Sequence, residues 1–283
     1  MTSNRSTLPE PTTPAGRTGL AALLGEPARA VVALDFDGTL APIVDRPDQA
    51  RADMRAVRAL SRLTPHLAAT VIVTGRPAAV AVEYGRFRGV AGLEQLVVLG
   101  HYGLERWDAA TGRVSAPEPP RGVGEVRLAL PGLLHSLDVW NSTWIEDKGS
   151  ALAVHTRRAP DPDATFALLR DPLAELAARH DLAVEPGRYV LELRPRGMDK
   201  GRALTGFLKE KQAGSVLFAG DDLGDLAAFE AVEELREQGV AGLTVCSGSA
   251  EVHALAERAD LVVPGPEGVA ELLAALADRV EGA

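Results

Sequence analysis

The feature that most constrains this chain is a rhythm. Short, wholly apolar runs alternate with segments whose apolar residues recur at helical spacing. Residues 31–35 (VVALD), 69–73 (ATVIV) and 95–99 (QLVVL) read as buried strands. Between the first two, residues 52–63 carry Met54, Val57, Leu60 and Leu63 along one helical face. Pro77, just past the second strand, suits the first turn of a new helix. The rhythm returns after residue 199, with a helix to about 211, a strand at 216–220 (VLFAG), a helix from 223, strands at 243–246 (LTVC) and 261–263 (LVV), and a last helix near 267–280. Strands alternating with helices predict an α/β fold, a doubly wound parallel sheet covered on both faces.

Between these halves the texture changes. Residues 104–120 read as a hairpin followed by a Pro-rich loop. Residues 143–157 and 182–194 read as alternating strands, with turns at Lys148-Gly149 and Pro186-Gly187 and a helix at about 163–179 between them. This is the pattern of a separate antiparallel α+β unit. The expected division is a disordered polar tail at 1–24, a core at 25–103 plus 196–283, and an inserted unit at 104–195.

The formal charge of −9 and the pI near 5.3 argue against a nucleic-acid partner. They also mean that an anionic substrate needs a local positive pocket or a metal ion. The single cysteine, Cys246, allows no internal disulfide and reads as a small buried residue at a strand end. No apolar run is long enough for a membrane helix, and no obligate protein partner is evident. A cytoplasmic location is expected.

Two acidic clusters follow buried strands. Asp35-Phe36-Asp37-Gly38-Thr39-Leu40 ends the first strand, and Gly220-Asp221-Asp222-Leu223-Gly224-Asp225 ends the strand at 216–220. Ligands in open α/β sheets bind at the carboxyl ends of strands. If the two strands are neighbours, several carboxylates face one crevice. Two unit charges about 4 Å apart repel by roughly 4 kcal/mol at an effective dielectric of 20. Such a cluster needs a cation, and hard oxygen ligands without nearby Cys or His indicate magnesium. Taken singly, Asp222 or Asp225 reads equally well as a helix cap.

Lysine occurs only at 148, 200, 209 and 211, so arginine supplies nearly all the positive charge. Lys209 and Lys211 read as surface residues, whereas Lys148 and Lys200 each precede a glycine at an element junction. Thr74-Gly75-Arg76 closes the second strand, where a hydroxyl and free amides suit a phosphate oxygen. Period-two spacing puts Val190, Glu192 and Arg194 on one strand face and Tyr189, Leu191 and Leu193 on the other. His155 and Arg157 likewise share a face.

Together these residues resemble the haloacid-dehalogenase phosphatase superfamily, whose four motifs occur here in order: Asp35 to Thr39, Thr74-Gly75-Arg76, Lys200, and Gly220-Asp221-Asp222 with Asp225. Within it, the strings DFDGTLAPI, GHYGLE, IEDKGSALAVHTR, ELRPRGMDKGRAL and GDDLGDLAAF resemble the trehalose-6-phosphate phosphatase family. That family typically has a His-Gly turn where this chain has His101-Tyr102-Gly103, and Gly-Asp-Asp-x-Thr-Asp-Glu where it has Gly224 and Leu226.

The resemblance implies a magnesium-dependent phosphatase acting on a sugar phosphate. Asp35 is the implied nucleophile and Asp37 the acid and base, with Thr74 and Lys200 on the phosphoryl oxygens. Asp35, the Asp37 carbonyl and Asp221 are the implied metal ligands, with Asp222 or Asp225 in support. Arg76, Glu146, Lys148, Glu192 and Arg194 are the implied substrate contacts, those of the insert meeting sugar hydroxyls as it closes over the substrate. Sucrose phosphate and mannosyl-phosphoglycerate are the rival substrates. A phosphomutase or a non-catalytic phospho-acceptor domain fits less of the sequence. The glycine motifs of dinucleotide-binding and P-loop proteins are missing.

Overall fold

The computed structural model describes residues 8–44, 46–118, 120–187, 189–248 and 253–282. Their strands are β1 (Ala30–Leu34), β2 (Ala69–Val73), β3 (Leu96–Gly100), β4 (Glu105–Asp108), β5 (Arg113–Ser115), β6 (Trp144–Asp147), β7 (Leu152–His155), β8 (Leu182–Gly187), β9 (Val190–Pro195), β10 (Ser215–Gly220), β11 (Ala241–Gly248) and β12 (Leu261–Pro264). Their α-helices are α1 (Pro14–Gly25), α2 (Met54–Leu63), α3 (Ala78–Gly85), α4 (Arg121–Ser136), α5 (Pro162–Arg179), α6 (Lys200–Lys211), α7 (Leu226–Glu237), α8 (His253–Arg258) and α9 (Gly265–Glu281). The chain folds into two compact units, one running to Ala116 and resuming at Asp199, the other spanning Pro117–Met198.

The first unit is built on a sheet of order β12-β11-β10-β1-β2-β3-β4-β5. The pairs from β12 through β3 are parallel, and β4 and β5 add an antiparallel hairpin at one edge. Every residue of β1, β2 and β3 is buried, as a sheet covered on both faces requires. Alternate residues feed two cores. Val32, Leu34, Ile72, Val98 and Leu217 pack with side chains of α1, α2, α3 and α9. Val31, Ala33, Val71, Val73 and Phe218 pack with α6, α7 and α8. Strand order reverses between β1 and β10: β2 and β3 extend to one side, β11 and β12 to the other. That reversal opens a crevice at the carboxyl ends of β1 and β10.

The second unit is a sheet of order β6-β7-β9-β8, antiparallel throughout, with α4 and α5 against one face. Ile145, Leu152, Val154, Leu191 and Leu193 line the covered face with Val126, Leu130, Leu169 and Leu173. The cross-strand partners Trp144 and His155, Glu146 and Ala153, Ala153 and Glu192, and Glu192 and Glu185 share the opposite face.

Several expectations need correction. The tail expected to be disordered through residue 24 is helical from Pro14; residues 1–7 lie outside the described residues. Thr13 caps α1 by accepting the Gly16 amide, and Pro14 occupies the first turn. Leu23 is buried, and Gly19 lies so close to β11 that a Cβ there would sit 1.9 Å from the Gly242 carbonyl oxygen. The hairpin expected in the insert is the edge of the large sheet, so the inserted unit begins at Pro117 instead of 104 and ends at Met198 instead of 195. Helix α4 was not expected at all. Cys246 is buried in β11, and burial pushes its thiol up to about 11. Among the described residues no helix is long and apolar enough to cross a membrane.

Asp260, at the entry to β12, ties α1 to the sheet. Its carboxylate accepts from the Thr244 amide at 2.8 Å and the Thr244 hydroxyl at 2.9 Å, and it is bonded to Thr13 Oγ1 and the Arg236 guanidinium. The group is 2 % exposed. Removing one member of a buried, hydrogen-bonded ion pair strands the other. Asp260→Ala is expected to lower the unfolding free energy by about 3 kcal/mol, read by equilibrium denaturation. A change below about 1 kcal/mol, the net worth of one ordinary hydrogen bond, would mean that α1 is held by its apolar contacts alone.

Candidate active site

Asp35 is the first residue beyond β1, and its amide donates to the Ala219 carbonyl of β10 at 2.9 Å. This bond locks the start of one acidic cluster to the strand that carries the other. The register Leu34–Ala219 places Asp35 and Asp221 at the ends of adjacent strands. Between them stands Lys200, the first residue of α6, whose cap Asp199 accepts the Arg202 amide. Its ammonium donates to Asp35 Oδ1 at 2.6 Å and to Asp225 Oδ1 at 2.7 Å. All three side chains are buried, Asp225 completely.

Asp225 organises the second cluster. Its Oδ2 accepts the amides of Asp221, at 2.9 Å, and Asp222, at 3.2 Å. Both of its oxygens are therefore engaged. Asp221 differs: its Oδ1 is buried and has no hydrogen-bond partner among the described residues. Asp35, Asp221 and Asp225 each offer an oxygen within 4.8 Å of the others. Three buried carboxylates against one ammonium leave an acidic excess, and the unpartnered Asp221 oxygen is the kind of atom a cation takes. The cluster is thus fit to hold a divalent metal ion. Gly38 makes room for it. Its φ of 75° suits glycine, and a Cβ there would lie 1.9 Å from Asp221 Oδ2. The Gly38 carbonyl is held by the buried Ser247 hydroxyl at 2.7 Å.

The charges feel this crowding. Burial drives the Asp35 carboxyl well above the usual carboxylate range; Lys200 opposes the shift, and Asp225 and Asp221 add to it. Burial, with Asp222 and Asp225, pushes Asp221 up to about 8. Burial works against the Lys200 charge, but Asp225 and Asp35 outweigh it and hold the ammonium protonated.

Asp222, expected among the metal ligands, does not join the cluster. It is exposed, and its Oδ1 accepts the Gly224 amide at 2.9 Å, capping the short turn Leu223–Asp225. Reciprocal capping, in which Asp222 points out and Asp225 points in, decides which of the two enters the site. Asp37 is half-exposed, and Arg76 grips its carboxylate with both prongs, Nε to Oδ2 and Nη2 to Oδ1, each at 2.6 Å. Sequence reasoning placed Arg76 on the substrate; the structure joins it to Asp37. Thr74 is buried at the end of β2, beside β1, with its hydroxyl accepting the Arg76 amide at 3.1 Å.

The remaining expected residues lie in the second unit, on the open face of its sheet. Lys148 Nζ pairs with Glu192 Oε2. His155 Nε2 lies 2.9 Å from Glu146 Oε2, and Arg194 Nη2 donates to Glu185 Oε2 at 2.9 Å. Glu192 keeps its Oε1 buried with no partner among the described residues. Sequence reasoning missed Trp144, half-exposed on this face and stacked on the His155 ring at 4.4 Å. The signal was available, since Trp144 precedes Glu146 by two and shares its strand face.

The trehalose-phosphatase family profile matches residues 33–264. The probable trehalose-phosphate phosphatase of Sinorhizobium fredii is 31% identical over 247 residues, 86% of this chain and 86% of the relative. The trehalose-phosphate phosphatase of Mycolicibacterium paratuberculosis is 33% identical over 273 residues, 88% of this chain but 62% of the relative, so the chain spans under two thirds of that protein. Among solved structures, the C-terminal domain of Candida albicans trehalose-6-phosphate phosphatase superposes with a TM-score of 0.74 at 23% identity, covering 98% of this chain and 99% of that one. A haloacid dehalogenase-like hydrolase from Bacteroides thetaiotaomicron superposes with a TM-score of 0.59 at 18% identity, covering 86% and 98%. Both structures share the fold.

The raised carboxyls make a signed prediction. A carboxyl whose folded value exceeds its unfolded one binds more protons when folded, so its contribution to stability is full below about pH 4 and is lost as pH rises toward about 8, where Asp221 titrates. One such group changes stability by at most about 1.4 kcal/mol per pH unit. In EDTA, the melting temperature should therefore fall between pH 5 and pH 8. A divalent cation held by the ionised cluster would raise it more at pH 8 than at pH 5, which added magnesium tests. An EDTA curve that rises over this range would refute the cluster's charge balance.

Proposed function

Because the chain belongs to the trehalose-phosphatase family of the haloacid-dehalogenase superfamily, we propose that it hydrolyses trehalose 6-phosphate to trehalose and phosphate, the last step of trehalose biosynthesis. The observation that carries this reading is the buried Asp35–Lys200–Asp225 bridge beside Asp221, at the crevice where strand order reverses. The metal is assigned as magnesium, held by Asp35, Asp221 and the Asp37 carbonyl, with Asp225 orienting the set. When bound, it neutralises the acidic excess and draws charge from the phosphoryl oxygens.

Each residue then has a defined task. An Asp35 carboxylate oxygen attacks phosphorus, forming a new O–P bond as the bond to the sugar oxygen breaks. Asp37 gives its proton to that leaving oxygen, which would otherwise depart as a poor alkoxide. Water next attacks the phosphoryl group on Asp35, Asp37 takes the water's proton, and the Asp35 carboxylate is restored as phosphate leaves. Lys200 uses two of its three donors on Asp35 and Asp225, which leaves the third for a phosphoryl oxygen. Thr74 supplies a hydroxyl to the same group. A carboxyl that is to donate a proton cannot also accept both prongs of a guanidinium, so the Arg76–Asp37 pair opens in the acid step and re-forms afterwards.

Glu146, Lys148, Glu192 and Arg194 are assigned to sugar hydroxyls. They are supported by the ion pairs Lys148–Glu192 and Arg194–Glu185 and the His155–Glu146 contact on one sheet face. Paired charges suit neutral hydroxyls better than an anionic leaving group.

The test is phosphate release from trehalose 6-phosphate, sucrose 6-phosphate, glucose 6-phosphate and mannosyl-phosphoglycerate, with magnesium or with EDTA. Preference for trehalose 6-phosphate, lost in EDTA and in Asp35→Asn, is the expected result. Asp37→Asn should lower kcat by roughly 10²–10⁴-fold. Magnesium-dependent release from another substrate would keep the chemistry and reject the sugar. If no substrate is turned over by folded, magnesium-loaded protein, the phosphatase reading fails.

A further inference from the structure

Beyond β3 the chain makes two consecutive left-handed residues, His101 with φ 47° and Tyr102 with φ 56°. For non-glycine residues this conformation is uncommon, and for a large aromatic side chain it is an outlier. Such strain persists only where the surroundings impose it. Here the surroundings are the loop that carries Thr74 and Arg76. The His101 amide donates to the Arg76 carbonyl and the Tyr102 amide to the Thr74 carbonyl, each at 3.0 Å. Glu105, 3.7 Å from His101 Nε2, accepts the Ala78 amide at the start of α3 at 2.7 Å. The strained turn therefore holds Thr74-Gly75-Arg76 at both ends, and Glu105 just beyond it holds the start of the helix that follows.

Tyr102 also holds the middle. A Cβ built on Gly75 would lie 2.6 Å from the Tyr102 hydroxyl oxygen, 2.9 Å from Cζ and 3.4 Å from Cε2. These are its three nearest atoms, and all belong to Tyr102. The φ of Gly75 is not one that demands glycine. The end of the tyrosine ring is what a side chain there would meet, and the ring would have to shift to admit it.

We infer that Tyr102 is a positioning residue. Its left-handed backbone and its ring clamp the Thr74–Arg76 loop so that the Thr74 hydroxyl and the Asp37-gripping guanidinium of Arg76 are in place before substrate arrives. The inference rests on the phosphatase reading for its kinetic consequence but not for its structural one. The clamp adds no bond to the reacting atoms; it removes freedom from groups that make them. A small displacement of such groups can cost a hundredfold in rate.

The experiment is a mutant cycle of Tyr102→Gly, Gly75→Ala and the double variant, with Tyr102→Phe as the conservative control. Glycine adopts the left-handed angles freely, so Tyr102→Gly keeps the turn while deleting the ring. Hydrolysis of trehalose 6-phosphate with magnesium gives kcat and KM, and hydrogen exchange of the 101 and 102 amides is followed without substrate. Tyr102→Gly should lower kcat by about tenfold or more with KM changed by less than about threefold, and should speed exchange at both amides. Tyr102→Phe, which keeps Cζ and Cε2 over Gly75, should stay within about threefold of the parent in both constants. Gly75→Ala should cost about tenfold more in the parent than beside Tyr102→Gly, since the added methyl then meets no ring. Additive effects of the two substitutions, or unchanged exchange in Tyr102→Gly, would overturn the clamp. A parent protein inert toward trehalose 6-phosphate would sink the functional reading alone, because exchange would still decide the clamp.

Discussion

The structure turns on one buried ammonium. Lys200 is nearly sealed from solvent and stands between Asp35 and Asp225, each within 2.7 Å. Desolvating a charge costs several kcal/mol, and only close partners with good geometry recover it. Both partners are themselves fixed by backbone: the Asp35 amide by the Ala219 carbonyl, and Asp225 by the amides of Asp221 and Asp222. The adjacency of β1 and β10, the start of α6 and the turn before α7 all converge on this lysine. A shift in any one of them would leave a charge buried and alone.

The bridge does not balance the site. Asp221 adds a third buried carboxyl with an oxygen that no protein donor meets among the described residues. A chain selected for stability alone would replace such a residue with an apolar one of similar size. Keeping it trades stability for a cluster fit to hold a cation, the usual relation between strained active sites and their function. Gly38 belongs to the same trade. Its missing side chain lets the two acidic loops approach within a distance that any Cβ would forbid.

What could be read from the sequence follows the strength of local signals. The buried strands of the parallel sheet announce themselves as unbroken apolar runs, and β2 lies where its apolar run predicted it. The meeting of two acidic clusters was legible because each follows such a strand. Helix α4 was not, because Gly122, Gly124, Pro131 and Gly132 lower its helix propensity. Its signal is the apolar spacing of Val123, Val126, Leu130 and Leu134, all buried. Helix α1 was hidden by the polar composition around it, although Thr13-Pro14 and Leu20, Leu23 and Leu24 mark it. The choice of Asp225 over Asp222 was beyond sequence reasoning, since both are acids on one turn and only reciprocal capping separates them. The Arg76–Asp37 pair joins residues far apart in sequence and depends on how two strand-end loops meet.

Charge is also arranged differently in the two units. The open face of the inserted sheet carries acids and bases in pairs: Lys148 with Glu192, Arg194 with Glu185, His155 with Glu146. The two ion pairs cancel most of their own field, and the His155–Glu146 contact adds a further hydrogen-bonding pair. The crevice at β1 and β10 does the opposite, concentrating uncompensated carboxylates around one ammonium. A divalent cation would offset that acidic excess. The two units thus carry opposite electrostatic designs: charges of both signs paired on the inserted sheet, and buried acids in excess at the strand ends of β1 and β10.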